Sequence, residues 1–224
     1  MATFISKHLS LALVVAGLIG IIITKGQSVA ASDTQLFSLT ERGPTPVFAQ
    51  RMFAGPAPGL AADVNILSSF SVYSHINRLE SNAEHSAMWV YLANYLEQAS
   101  ILDPYFYDTY RLSSGLLAFQ EQHAKEAIEI MKYGAQYRTW DWETPLIAGF
   151  LAHHLLQDNK LAFELMKLAT SRPDAPPLAI GLAARFLADS EGRETGIQYL
   201  RYMKSIMPKG YSKHIDDRIL EFEK

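Results

Sequence analysis

The chain has 224 residues, a formal net charge of −3 and no cysteine, and these figures exclude several functional classes. Without cysteine there can be no disulfide, thiolate metal site, iron–sulfur cluster or thiol nucleophile. A charge near zero argues against a general nucleic-acid binder, which needs a basic surface to displace counterions from phosphates. With 49% apolar and 19% charged residues, the chain is too apolar to be disordered.

Residues 1–31 contain a long uncharged segment, Leu9–Thr24, which is flanked by lysines. A transmembrane helix uses about 17–25 apolar residues, and flanking lysines can reach the polar interface from its ends. We therefore expect residues 5–24 to anchor the protein in the inner (cytoplasmic) membrane, with the rest on the periplasmic side. The alternative is a signal peptide that is cleaved near Ala30/Ala31 and releases the protein into the periplasm.

Residues 32–60 are predicted to be a linker. Four of the ten prolines and three glycines fall between positions 43 and 59, and no apolar period is present there. This composition predicts extended or irregular chain. After residue 60 apolar residues recur at spacings of three and four, and no alternating β-branched run occurs, so the fold class is predicted to be all-α.

An internal repeat runs through the predicted domain, residues 61–211. Three rows of small or large apolar residues align at spacings of 35, 35 and 34, and each copy ends at a turn that contains proline or aspartate. The repeating unit is therefore helix, short turn, helix, turn. Asp103, Asp141 and Asp174 are placed to cap the helix that follows each turn. The rows are Leu92, Ala127, Ala162 and Gly196; Leu96, Met131, Met166 and Leu200; and Ala99, Gly134, Ala169 and Met203.

The repeat resembles the tetratricopeptide repeat (TPR). The matching features are the small–large–small set in the second helix, a proline at the end of the unit, and a small residue in the first helix at Gly115 and Gly149. The layout also resembles membrane-anchored bacterial envelope proteins that carry Ala-Ala-Asp, here Ala61–Asp63, at the first helix. The resemblance implies a TPR-like α-solenoid of about 3–4 helical-hairpin repeats, and residues 212–224 are expected to form its C-terminal capping helix.

In TPR proteins the first helices of the repeats line a concave binding surface. Co-chaperone members bind a terminal carboxylate there with lysine and asparagine, but the equivalent positions in this chain are leucine and phenylalanine. We therefore expect an apolar peptide or helix as the partner, unless the chain fills its own groove. The predicted partner-binding residues are Thr109, Leu112, Leu116, Phe119, Glu143, Leu146, Phe150 and His153.

A weaker candidate for chemistry is the group His153, His154 and Asp158. Histidine and aspartate four residues apart on a helix share a face and can hold a metal. Adjacent histidines point about 100° apart, however, and no further ligand is evident, so no metal, cofactor or catalytic residue is predicted. The main expectation is a non-enzymatic, membrane-tethered scaffold in a cell-envelope assembly or secretion system. The alternatives are a metal-dependent enzyme or enzyme accessory that uses these three residues, and a self-associating structural module.

Overall fold

The computed structural model describes residues 44–79, 83–120 and 122–223, and this part of the chain is all-α with no strand. The predicted fold class is confirmed at that level. The predicted anchor or signal peptide lies outside the described residues, and within them no helix has the length and apolar character needed to cross a bilayer. The helices are α1 Val47–Ala54, α2 Pro58–Ile76, α3 Ala83–Leu102, α4 Tyr107–Leu112 with a π-helical continuation Ser113–Leu117, α5 Ala124–Tyr137, α6 Glu143–Leu156, α7 Asn159–Thr170, α8 Pro177–Glu191, α9 Arg193–Ile206 and α10 Ser212–Glu223.

The helix α1 lies inside the predicted linker, so the expectation of extended or irregular chain is wrong over Val47–Ala54. Proline is compatible with the first turn of a helix, and here prolines stand directly before α1 and at the start of α2 rather than inside either. The Gln50 amide joins three helices. Its Oε1 accepts a hydrogen bond from Asn65 at 2.7 Å, and its Nε2 donates to Gln98 at 2.6 Å.

The three aligned rows form the centre of the packing. All twelve positions are buried, and they lie on α3, α5, α7 and α9. The small residues allow close approach: a Cβ on Gly149 would stand 3.1 Å from the Ala162 carbonyl oxygen, and one on Gly196 would stand 2.8 Å from that of Ala184. From α5 to α10, each α-helix packs against the next α-helix in the chain.

Two arginines connect successive turns by hydrogen bonds to backbone carbonyls, and these contacts were not predicted from the sequence. The Arg138 guanidinium donates to the Tyr105 carbonyl at 2.6 Å, and that of Arg172 donates to the Thr139 carbonyl at 2.6 Å. Both the two donors and the two acceptors are 34 residues apart in the chain. The same contact therefore recurs with the period of the buried rows.

Only one of the three predicted aspartate caps is present. Asp141 accepts the backbone N–H of Glu143 at 2.9 Å and so caps α6. Asp103 instead closes the turn before α4, and Asp174 adopts a left-handed backbone conformation with φ 56° two residues before the cap position of α8. The cap of α7 is Asp158, which accepts from the Leu161 N–H at 2.9 Å.

The segment predicted to form a C-terminal capping helix is helical, as α10. Ile215 is fully buried in a second core cluster with residues of α8 and α9, and Phe222 packs against that cluster. Leu220 on the same helix is 57% exposed.

Candidate interaction surfaces

The residues predicted to bind a partner are divided between core and surface. Thr109 is fully buried, so it presents no side chain to a partner and the prediction is wrong there. Leu112, Leu116 and Leu146 are half-buried and pack against the main core. Four of the eight predicted residues are therefore buried or packed against the core. The other four are Phe119, Glu143, Phe150 and His153.

Those four residues lie on or beside the π-helical turn and on α6. Phe119 is exposed, and Phe150 is 45% exposed with its ring stacked on that of His154 at 5.6 Å. Glu143 is exposed and accepts a hydrogen bond from the Tyr107 hydroxyl. Burial and this bond to the carboxylate raise the pKa of Tyr107 to about 12, so the hydroxyl stays protonated and holds α4 to α6.

His153 and the other members of the metal alternative are engaged in structural contacts. The His153 ring stacks on Phe186 at 4.5 Å, and its Nδ1 lies 2.6 Å from the Asn159 side-chain oxygen. His154 stacks on Phe150, and the Asp158 carboxylate caps α7. Across the part of the chain that the structure describes, no group of three or more histidine, aspartate or glutamate residues is arranged to hold a metal ion.

A different surface, the α3–α5 groove, has the shape of a binding site. It has a volume of about 600 Å³ and lies between the second helices of two successive helix pairs. Four of its thirteen lining residues are apolar and nine are polar or charged. The lining residues are Val90, Ala93, Asn94, Glu97, Ser100 and Ile101 on α3, and Lys125, Glu126, Glu129, Ile130, Lys132, Tyr133 and Gln136 on α5.

The groove combines a buried apolar floor with a charged rim. Ala93 and Ile130 are almost fully buried, whereas Val90 is 48% exposed. On the α5 wall the Lys132 ammonium pairs with Glu129 at 2.9 Å. Such an arrangement suits a segment with one apolar and one charged face.

Tyr133 adds a fixed hydroxyl to this wall. It donates to the Tyr137 hydroxyl at 3.2 Å, and this hydrogen bond together with partial burial raises the pKa of Tyr133. The hydroxyl therefore remains protonated at neutral pH.

The sequence contained a signal for this groove that the family-based prediction did not use. Residues on the two walls are 35 apart, as in the pairs Val90/Lys125 and Asn94/Glu129. The next helix of the series, α7, repeats the lysine and glutamate of α5 at the same spacing, whereas α3 has valine and asparagine there. Because α3 lacks these two charges, the groove between α3 and α5 differs in charge from the junction between α5 and α7.

No protein-family model and no curated protein matches the chain.

Proposed function

We propose that the protein is a TPR-like interaction scaffold that holds a partner protein of a cell-envelope assembly or secretion system. The observation that carries the proposal is the burial of all twelve aligned positions at spacings of 35, 35 and 34. The Arg138 and Arg172 contacts, which recur at 34 residues, support it further. Helical pairs stacked with such a period present extended surfaces, and these surfaces serve in binding.

The α3–α5 groove is the site that we assign to the partner. Small-molecule pockets of similar volume contain only a small number of polar groups, whereas nine residues with polar or charged side chains line this groove. A helix or extended peptide fits better, because its apolar side chains can contact Val90 and Ile101 while its basic residues meet Glu97. The partner is then an amphipathic segment rather than the wholly apolar one that the leucines of α4 and α6 suggested.

Site-specific photo-crosslinking in cells tests this assignment. A photoreactive amino acid at Val90 should yield an adduct with a protein partner, and the same amino acid at the exposed Tyr202 of α9 should not. Asn94→Trp places a large ring in the groove and should abolish the adduct, while far-UV circular dichroism stays unchanged. An adduct at Val90 that persists in Asn94→Trp contradicts the assignment, and one obtained at Phe150 alone returns the site to the face predicted from the sequence.

The proposed tether is the apolar segment, residues 5–24, which places the helical domain outside the cytoplasmic membrane. Its support is the sequence pattern, since Leu9–Thr24 has no charged residue. The mass of the mature N-terminus decides between this anchor and a signal peptide that is removed near Ala30/Ala31.

A further inference from the structure

A second cavity, the α8–α10 cavity, lies between α8 and α10 at the point where α9 begins. It has a volume of about 440 Å³, and five of its eight lining residues are charged. Three of them are arginines, one from each helix: Arg185 on α8, Arg193 at the first position of α9 and Arg218 on α10. The other two are Asp189 and Glu221. A ligand that fits such a lining must itself be charged.

Two of these arginines differ from the other arginines that the structure describes. Seven of the nine have a hydrogen bond or an ion pair of 3.5 Å or less. The exceptions are Arg185, whose nearest carboxylate is Asp189 at 3.9 Å, and Arg193, which pairs with no described residue. Because a guanidinium carries five N–H donors, both arginines bring unused donors to the same cavity.

The helix α9 does not neutralise Arg193. The N-terminal end of a helix is the positive end of its dipole, so a cation at the first position is unfavourable. The cap residue, Gly192, has no side chain to accept a hydrogen bond, and the neighbouring Glu194 carboxylate lies 4.0 Å from Arg201 instead. An anion in the cavity would offset this repulsion, although the two guanidiniums already attract it without the helix end.

Arg218 forms a fixed positive wall on the opposite side of the cavity. Its guanidinium donates to Glu221 at 2.5 Å, which neutralises one of the two carboxylates of the lining. Its side chain lies so close to α8 that a Cβ on Gly181 would stand 2.9 Å from Nε. Arg218 is therefore only 33% exposed, whereas the side chain of Arg185 is 69% exposed and open to a ligand.

The arginines indicate which anion fits. Guanidinium groups bind the oxygens of carboxylates and phosphates through paired N–H donors. A carboxylate offers two oxygens and a single negative charge, whereas a phosphomonoester offers three terminal oxygens and a charge of about −1.5 to −2 at neutral pH. Arg185 and Arg193 are two cations without a close counter-ion, so their charge matches that of the phosphomonoester.

We propose that the α8–α10 cavity binds the phosphate group of a phosphomonoester, with Arg185 and Arg193 donating to its oxygens. The organic part of the ligand contacts Ala188 and Phe222, which are the apolar side chains of the lining. Phe222 packs against the second core cluster, so its ring is held in place. Two sources present this group, a soluble phosphomonoester and the headgroup of phosphatidic acid, and the experiment below separates them.

Titration calorimetry with phenyl phosphate, on the full-length chain in a non-ionic detergent, tests the proposal. The wild type should bind the ester saturably. Arg185→Gln and Arg193→Gln should each weaken binding by about tenfold or more, because each removes charge-assisted hydrogen bonds. Arg193→Lys keeps the charge without the planar pair of donors and should give an intermediate loss. Arg201→Gln, an exposed arginine of α9 outside the cavity, is the matched control and should bind as the wild type does.

Adding phosphatidic acid to the micelles identifies the source of the phosphate, and an equal amount of phosphatidylglycerol controls for micelle charge. Competition by phosphatidic acid alone assigns the site to the lipid headgroup, and the absence of competition assigns it to a soluble ester. Circular dichroism should show equal helical content in all variants.

Three results would overturn the proposal. One is the absence of saturable binding to the wild type. Another is an equal loss in Arg201→Gln, which would mean that the ester is attracted by surface charge in general. The last is binding of benzoate as tight as that of phenyl phosphate, which would make the ligand a carboxylate. None of these results affects the photo-crosslink at Val90, so this proposal and that of the α3–α5 groove fail separately.

Discussion

The first two helices and the last helix of the described chain both pack inward on apolar side chains, but their outer faces are opposite in character. α10 buries Ile215 against α8 and α9 and turns Lys213, Asp217 and Glu221 toward solvent. α2 buries Ala62, Ile66 and Val72 and turns Leu60 and Leu67 outward. A helical series needs a polar outer face wherever it ends in water. The outer face of α10 meets this requirement, whereas the outer face of α2 exposes leucine.

The largest expected effect tests the inner side of α10. Ile215→Ala should lower the free energy of unfolding by about 2–5 kcal/mol, because it leaves a cavity where a fully buried side chain now packs. Leu220→Ala on the same helix is the matched control and should change stability by no more than about 0.5 kcal/mol, since Leu220 is exposed. Urea unfolding followed by circular dichroism measures both. Equal losses would mean that α10 is not a cap with distinct faces.

The second prediction concerns Asp141, which lies in the turn between α5 and α6. Burial works to raise the pKa of Asp141, but hydrogen bonds from Thr144, Arg138 and the backbone outweigh it and hold the pKa below its usual range. A carboxylate whose folded pKa is lowered stabilises the fold above its unfolded pKa, and this contribution is lost as the pH falls through the folded value. The wild-type protein should therefore lose stability below about pH 4.

Asp141→Asn should remove this contribution. We expect a loss of about 2 kcal/mol at neutral pH, because a charge-assisted hydrogen bond to Arg138 disappears, and a flatter dependence of stability on pH in the acid range. Asp158→Asn is the control, because asparagine caps a helix about as well as aspartate. Thermal unfolding at a series of pH values distinguishes the two variants. An unchanged acid limb in Asp141→Asn would assign the acid sensitivity to other carboxylates.

The third prediction concerns the tightness of packing near the capped end. Gly196→Ala should cost about 1–3 kcal/mol, because its Cβ would stand 2.8 Å from a backbone carbonyl of α8, which cannot yield as a flexible side chain would. Gly210→Ala, where a Cβ meets open space, should be close to neutral. Chemical denaturation of the two variants provides the measurement. A neutral Gly196→Ala would show that α8 and α9 can separate at little cost.

Much of the core was predictable from the sequence, because buried residues recur at a nearly constant spacing along the chain. Ala127 and Met131 have counterparts one period before and after them, and such recurrence singles out inward positions regardless of the exact helix ends. The existence of α10 was predictable for a similar reason, since a charged segment with apolar residues three and four apart has only one face to bury.

The binding surfaces were less predictable, because they depend on contacts between distant residues. Thr109 was placed on the surface by family convention, but the short α4 and its π-helical continuation bury it. Asp158 was grouped with histidines because spacing does not reveal that a helix begins at the next residue. Val47–Ala54 was assigned to a linker because its prolines were counted as breakers, although they stand at helix starts, where proline is favoured.

The smallest expected effect concerns Leu67 on the exposed face of α2. Leu67→Ala should change the free energy of unfolding of the monomer by about 0.5 kcal/mol or less, because the side chain is 68% exposed. If two copies paired through this face, the same change would remove apolar contact from both copies at once. Since association stabilises a fold by mass action, the melting temperature of a paired wild type would rise with protein concentration, and that of Leu67→Ala would rise less. Thermal unfolding over a wide concentration range measures this dependence, with Leu220→Ala, an exposed leucine on α10, as the control. Parallel slopes for all three proteins would mean that the outer face of α2 is as solitary as that of α10, and the contrast between the two ends would then be one of composition alone.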